Sequence, residues 1–232
     1  MTLYLFPNAL SKESSPDLWL SPALYEAAAE LDSVIAESPK ASRLFFKSLS
    51  LQRQELPLAI YNKKTPDKDL DFLLEPLKKG QKLGLLSDAG MPCVADPGSR
   101  LVKLARKSCF PVIAFTGPCS ITLSLVLSGL PSQSFAFHGY LPSKESERKE
   151  LLSELEKASL RSKRTEIFIE APHRSQESLK EFLRLLRPAT LLSVSCDLHS
   201  PSEFTMTHSI QQWQKLDLPD LHKRPAVFLF SA

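Results

Sequence analysis

Glycine is scarce in this chain, and what there is of it is crowded. Only 7 glycines occur in 232 residues, and all lie between Gly80 and Gly139. Cysteine is scarcer still. Cys93, Cys109, Cys119 and Cys196 are scattered, with no CxxC pair. This argues against a zinc site or a disulfide framework and makes reduced thiols in a cytoplasmic setting the expectation. His138, His199, His208 and His222 have no metal-ligand spacing, so no metal is expected. No apolar run approaches the roughly 20 residues that a membrane-spanning helix needs. The opening MTLYLFPNALSKESS has no basic segment ahead of its apolar residues, which is not how a signal peptide begins. A strong charge bias is missing too. The formal net charge is +3, and the densest basic run is RSKR, Arg161 to Arg164. This balance permits a nucleic-acid partner without arguing for one.

What is present is an alternation of strand and helix signals. TLYLF (2–6), SVIAE (33–37), PLAIYN (57–62), KLGLLS (82–87) and PVIAF (111–115) read as buried strands. Between them stand four pairs of an oxygen-bearing residue and a proline: Ser21-Pro22, Ser38-Pro39, Thr65-Pro66 and Asp96-Pro97. Each reads as a helix start, with a side-chain cap followed by a proline whose φ is preset. Strand and helix in strict alternation call for a mostly parallel sheet with helices on both faces.

After Gly117-Pro118 the order changes. SITLSLVLSGL reads as a buried helix ended by Gly129. SFAFHGY (134–140) and TEIFIEA (165–171) read as strands. So do TLLSVSCD (190–197), EFTMTHS (203–209) and PAVFLFS (225–231). Amphipathic helices are expected over 143–159 and 173–187. The last three strands have little helix between them, so this sheet is expected to be mixed. The reading is α/β, with two αβα domains, 1–116 and 117–232.

The crowded stretch is LLSDAGMPCVADPGS, Leu85 to Ser99. It follows the fourth strand, and ligands of open α/β sheets bind outside the carboxyl ends of strands. It fits neither the GxxxxGK[ST] nor the GxGxxG phosphate pattern. Ser87, Asp88, Ala89 and Gly90 instead place a short acid among small residues. That suits a ligand lying against main chain with a hydroxyl or ammonium toward the carboxylate.

Four ordered motifs carry a resemblance: SDAGMPCVADPGSRLV, FTGPCSITLSLVLSGLP, FAFHGYLPSKESERKELL and IFIEAPHR. Together they resemble the tetrapyrrole methylase superfamily. Within it they are similar to the branch that methylates a cytidine 2′-hydroxyl of small-subunit ribosomal RNA from S-adenosylmethionine. The resemblance implies two α/β domains with that cofactor in the cleft between them, a homodimer, and a cytoplasmic enzyme acting on RNA. It implies cofactor contacts from Ser87, Asp88, Ala89, Gly90, Met91 and Asp96, and from Thr116, Gly117, Pro118 and Ser120. Lys144 and Arg148 become candidate RNA contacts. Glu170 or His173 becomes a candidate base and Arg174 a phosphate ligand. The other reading of these three is a Glu170–Arg174 ion pair with His173 capping a helix, and the sequence leaves both open. The loops after the first two strands depart from the branch. The first has Pro7 and Asn8 but no glycine; the second keeps Glu37 and continues Ser38-Pro39-Lys40. Two other functions follow from these departures: a tetrapyrrole or other small-molecule acceptor, or a non-catalytic RNA-binding scaffold.

Overall fold

The computed structural model describes residues 1–53 and 55–232. The chain divides into two compact units, Met1–Cys119 and Ser120–Ala232. The sequence break at 116/117 lies three residues earlier.

Unit 1 holds five parallel strands: β1 (Thr2–Phe6), β2 (Ser33–Ala36), β3 (Leu58–Ile60), β4 (Lys82–Leu86) and β5 (Val112–Ala114). Their order across the sheet is β3-β2-β4-β1-β5. The connections are α1 (Pro22–Ala29), α2 (Pro39–Ser48), the short helices α3 (Leu70–Leu73) and α4 (Glu75–Lys78), and α5 (Ser99–Lys107). From β1 to β3 the chain moves one way across the sheet and from β3 to β5 the other. Right-handed crossovers then place α1 and α2 on one face and α3 to α5 on the opposite one. The two cores agree. Phe6, Val34 and Ala36 pack with Leu24 of α1 and Phe45 of α2. Leu3, Leu5, Ile35, Leu83 and Leu85 pack with Leu77 and Leu101. Alternate residues of one strand thus serve opposite faces.

Two of the four proline-led starts form as expected. The Ser21 and Ser38 side chains accept from Leu24 N and Ala41 N, each with proline in the first turn. The other two do not. Thr65-Pro66 leads into a 3-10 turn over Asp67–Asp69 without a side-chain cap. The helix expected after it is broken, because Pro76 brings no N–H to the helical ladder. Asp96 does not cap α5 either. Gly98, at φ 147°, occupies the N-cap position without a side-chain bond.

Unit 2 opens with α6 (Ser120–Ser128) and continues β6 (Phe135–Tyr140), α7 (Glu145–Ser162), β7 (Thr165–Glu170), α8 (Ser175–Leu185), β8 (Leu191–Cys196), β9 (Phe204–Ser209), α9 (Ile210–Trp213) and β10 (Ala226–Ser231). The sheet order is β6-β7-β10-β8-β9. Only β6 and β7 run parallel; the β7–β10, β10–β8 and β8–β9 pairs are antiparallel. The mixed sheet is as the sequence implied. Its core joins Phe168, Phe182, Phe228 and Phe230 to Leu152 and Leu155 of α7 and to Trp213. The short α9 was absent from the sequence reading, although a Ser209/Gln212 capping box marks its start. Among the described residues, no helix is long and apolar enough to cross a membrane.

Each unit contains one of the two tryptophans, Trp19 or Trp213. This allows the units to be followed separately. Ser21→Ala removes a cap hydrogen bond and is expected to destabilise unit 1 by about 1 kcal/mol. Urea unfolding followed through Trp19 in a Trp213→Phe background checks this, with Trp213-reported unfolding unchanged in the complementary Trp19→Phe background.

Candidate functional site

Strand register assembles the site in unit 1. Phe6 pairs with Leu86 and Leu86 with Ala36, so Pro7, Ser87 and Glu37 leave the sheet side by side. The connections from β1 and β4 diverge at this point, which is where open α/β sheets hold ligands.

Asn8 closes the gap between the two diverging strands. It is fully buried and exchanges both backbone hydrogen bonds with Gly90, at 2.9 and 3.0 Å. Its side-chain amide donates to Ser87 O at 3.0 Å and to Ala41 O at 3.2 Å, and its side-chain oxygen accepts from Ala9 N. The sequence reading left Asn8 without a role; its position straight after a strand end was the available signal.

The glycines of the two cofactor motifs answer to the protein's own packing. Gly90 has φ +67°, and a Cβ there would meet Pro118 O at 3.2 Å. A Cβ on Gly117 would lie 2.3 Å from the Pro7 side chain. The loops after β1, β4 and β5 therefore converge, with no room for a side chain at Gly117 and little at Gly90. Ser87 is buried, and its hydroxyl lies within hydrogen-bonding distance of Ala89 O and Gly90 O, so it braces the loop. Asp88, Ala89, Thr116 and Gly117 are exposed, Pro118 is buried, and Met91 is half-buried. Ser120 is the first residue of α6.

Three carboxylates share this end of the sheet. Ser38 Oγ donates to Asp88 Oδ1 at 2.6 Å, and Asp88 N donates to Glu37 Oε2 at 3.3 Å. Burial raises Glu37 above the usual carboxylate range, and the Asp88 charge adds to this. Asp96 is pushed up to about 7, chiefly by burial, then by Glu37 and Asp88, with Lys63 opposing. Such a cluster carries surplus negative potential at a concave edge and favours a ligand with hydroxyl donors or a positive charge. Glu37 was noted in the sequence only as a family match; the β2–β4 register makes it part of the site.

The motifs of unit 2 form a tied network. Glu170 is buried at the end of β7. One of its oxygens accepts from Ala171 N at 2.8 Å; the other accepts from Ser178 Oγ at 2.8 Å and lies 3.3 Å from Arg174 Nη2. Both oxygens are thus occupied. Arg174 also donates to Leu141 O at 3.2 Å. Arg148 donates to Pro142 O and Ser143 O, and to Glu181 at 2.8 Å. The two arginines hold the loop of GYLPS from two sides. Lys144 is exposed and paired with Glu147. His173 is exposed and caps nothing, since Arg174 occupies the N-cap position of α8 without a side-chain bond. Of the six candidate residues in unit 2, Ser120 included, the structure gathers Arg148, Glu170 and Arg174 around one loop.

The chain belongs to the Tetrapyrrole (Corrin/Porphyrin) Methylases family, whose sequence profile matches residues 16–198. It is 32% identical over 184 residues to the "Ribosomal RNA small subunit methyltransferase I" of Vibrio cholerae, a match covering 79% of this chain and 60% of that protein. It is also 32% identical over 223 residues to the protein of the same name from Buchnera aphidicola of Schizaphis graminum, covering 93% and 73%. Among solved structures it resembles the methyltransferase CobJ, with a TM-score of 0.65, 16% identity and coverage of 100% and 94%. It also resembles the uroporphyrin-III-C-methyltransferase of Thermus thermophilus, with a TM-score of 0.57, 17% identity and coverage of 99% and 91%. These two structures agree with the fold.

Two predictions follow from the geometry. A raised carboxyl pKa means the folded state holds a proton that the unfolded chain releases. Asp96 therefore contributes stability that is present below about pH 4 and lost as pH rises through about 7. Asp96→Asn is expected to raise the melting temperature at pH 8 relative to wild type and to shrink that gain toward pH 5, measured by thermal denaturation at both pH values. Glu170→Ala strands a backbone N–H, a hydroxyl and a guanidinium, and is expected to cost about 2–4 kcal/mol, whereas His173→Ala is close to neutral. Urea unfolding followed through Trp213 separates the two.

Proposed function

We propose that this chain is an S-adenosylmethionine-dependent methyltransferase that methylates a ribose 2′-hydroxyl of small-subunit ribosomal RNA. In this reading it works in the cytoplasm as a homodimer. The observation that carries the reading is the carboxylate cluster Glu37, Asp88 and Asp96 at the β2 and β4 ends, on a chain of this family. The residues fit the cofactor: its ribose hydroxyls and ammonium are donors, and the exposed Asp88 carboxylate is an acceptor. Bound there, S-adenosylmethionine supplies an electrophilic methyl group on a positively charged sulfur.

The chain's own contribution is mostly positioning. Asn8 fixes the Asp88 loop against β1, and Gly117 brings the third loop against Pro7. Asp96 gives up its proton when a cation approaches, because a positive charge offsets the burial and the neighbouring carboxylates that raise its pKa. Alignment of a nucleophile with a methyl group can supply much of the acceleration. In the EAPHR motif, His173 has a side chain open to solvent and suits a ribose hydroxyl, while Glu170, with both oxygens bonded, acts as an anchor. The names of the Vibrio and Buchnera relatives, both small-subunit ribosomal RNA methyltransferases, support ribosomal RNA as the acceptor.

Calorimetry is expected to show S-adenosylmethionine binding that strengthens from pH 6 to pH 8 as Asp96 ionises, and that Asp88→Ala weakens about tenfold. Labelled methyl is expected to pass to small ribosomal subunits from cells lacking the gene, and not to wild-type subunits. An unchanged 2′-O-methyl map in those cells would overturn the acceptor. Absence of cofactor binding by the folded protein would overturn the enzyme.

A further inference from the structure

The basic residues that the family motifs single out are already engaged inside unit 2. Arg148 is held by Glu181 and two carbonyls, Arg174 by Glu170 and Leu141 O, and Lys144 by Glu147. An RNA backbone would have to displace those partners.

Unit 1 carries a different set. Lys40, Arg43 and Lys47 are exposed on α2, whose opposite side is fixed by buried Ala41, Phe45 and Phe46. Spacings of three and four residues put the three cations in one row, about 10 Å long at 1.5 Å per residue. No ion pair holds any of them among the described residues. At its start, Lys40 shares with Lys12 a groove of about 160 Å³ that ends on Asp88 and Ala89. Further along, Arg43 and Lys47 border a groove of about 780 Å³ with Phe46, Leu51, Leu56 and Leu58 among its walls. The row therefore runs from the edge of the acidic site to a concave surface of mixed apolar and basic character.

We propose that α2 is the RNA track of this protein: a single-stranded segment lays its phosphates along Lys40, Arg43 and Lys47 and places an unstacked base in the groove beside Leu51 and Leu56. The inference rests on the RNA reading above and adds the surface that takes the substrate. Charge segregation supports it. The carboxylates repel phosphates, while the adjacent row attracts them, so a strand is guided past the mouth with its backbone on α2. Recognition of RNA by splayed bases on an apolar surface beside backbone cations is the mode such a surface permits.

The test is binding of a fluorescein-labelled, unmethylated fragment of small-subunit ribosomal RNA, measured by anisotropy across a salt series. Arg43→Ala/Lys47→Ala is compared with wild type and with Lys103→Ala/Lys107→Ala, which removes equal charge from the exposed side of α5. The α2 pair is expected to weaken binding about tenfold and to flatten the salt slope by about 1.4, the share of two lost single-strand phosphate contacts. The α5 pair is expected to leave both unchanged, and all three proteins to bind S-adenosylmethionine equally by calorimetry. Equal RNA affinity and slope in wild type and the α2 pair overturns the track and leaves the RNA reading standing. Equal weakening by both pairs also overturns it, since net charge then suffices. A wild-type protein that binds the cofactor but no RNA removes the RNA reading, and the track with it.

Discussion

The site depends on one constraint, the parallel register that sets Phe6, Leu86 and Ala36 in a row. Parallel strands begin and end on common edges, so residues far apart in the chain leave the sheet together. Pro7, Glu37 and Ser87 do so here. The diverging crossovers then leave an opening that the buried amide of Asn8 sutures with bonds to Gly90, Ser87 and Ala41. Slipping the register by one residue would turn each side chain to the other face and break this suture.

Charge is distributed with the same economy. Three acids share the mouth, and burial, with the charges of Glu37 and Asp88 added, raises Asp96 to about 7. That arrangement opposes folding at neutral pH and favours a cationic ligand, a trade common where function sets local chemistry. Next to it, α2 presents Lys40, Arg43 and Lys47, which no ion pair holds among the described residues. In unit 2 the arginines answer a structural need, fastening the loop before α7 to the end of β7 through buried carboxylates. The arginines of the family motifs are thus bound inward, whereas the row on α2 faces outward.

Several features were readable because their causes are local. Ser21-Pro22 and Ser38-Pro39 start helices as expected, since cap and proline act within one turn. Asp96-Pro97 misled for a tertiary reason: the Asp96 side chain belongs to the acid cluster, and Gly98 takes the helix start. The crowding of glycine pointed to the loops after β4 and β5, and the close approach it permits there is of protein on protein, Gly117 on Pro7 and Gly90 on Pro118. The basic row was hidden because PKASRLFFK has no run of charge. Only helical spacing, with Phe45 and Phe46 turned inward, gathers it.

By itself, the sequence determined the α/β class, the mixed second sheet and the family, because periodicity, caps and ordered motifs are properties of neighbouring residues. Tertiary structure alone decided which of those residues face one another. It set Glu37 beside Asp88, gave Asn8 its place between the diverging strands, and favoured, of the two readings open for Glu170, the ion-paired anchor. Those outcomes rest on strand register and on competition for buried hydrogen-bond partners, and neither is written in any single stretch of chain.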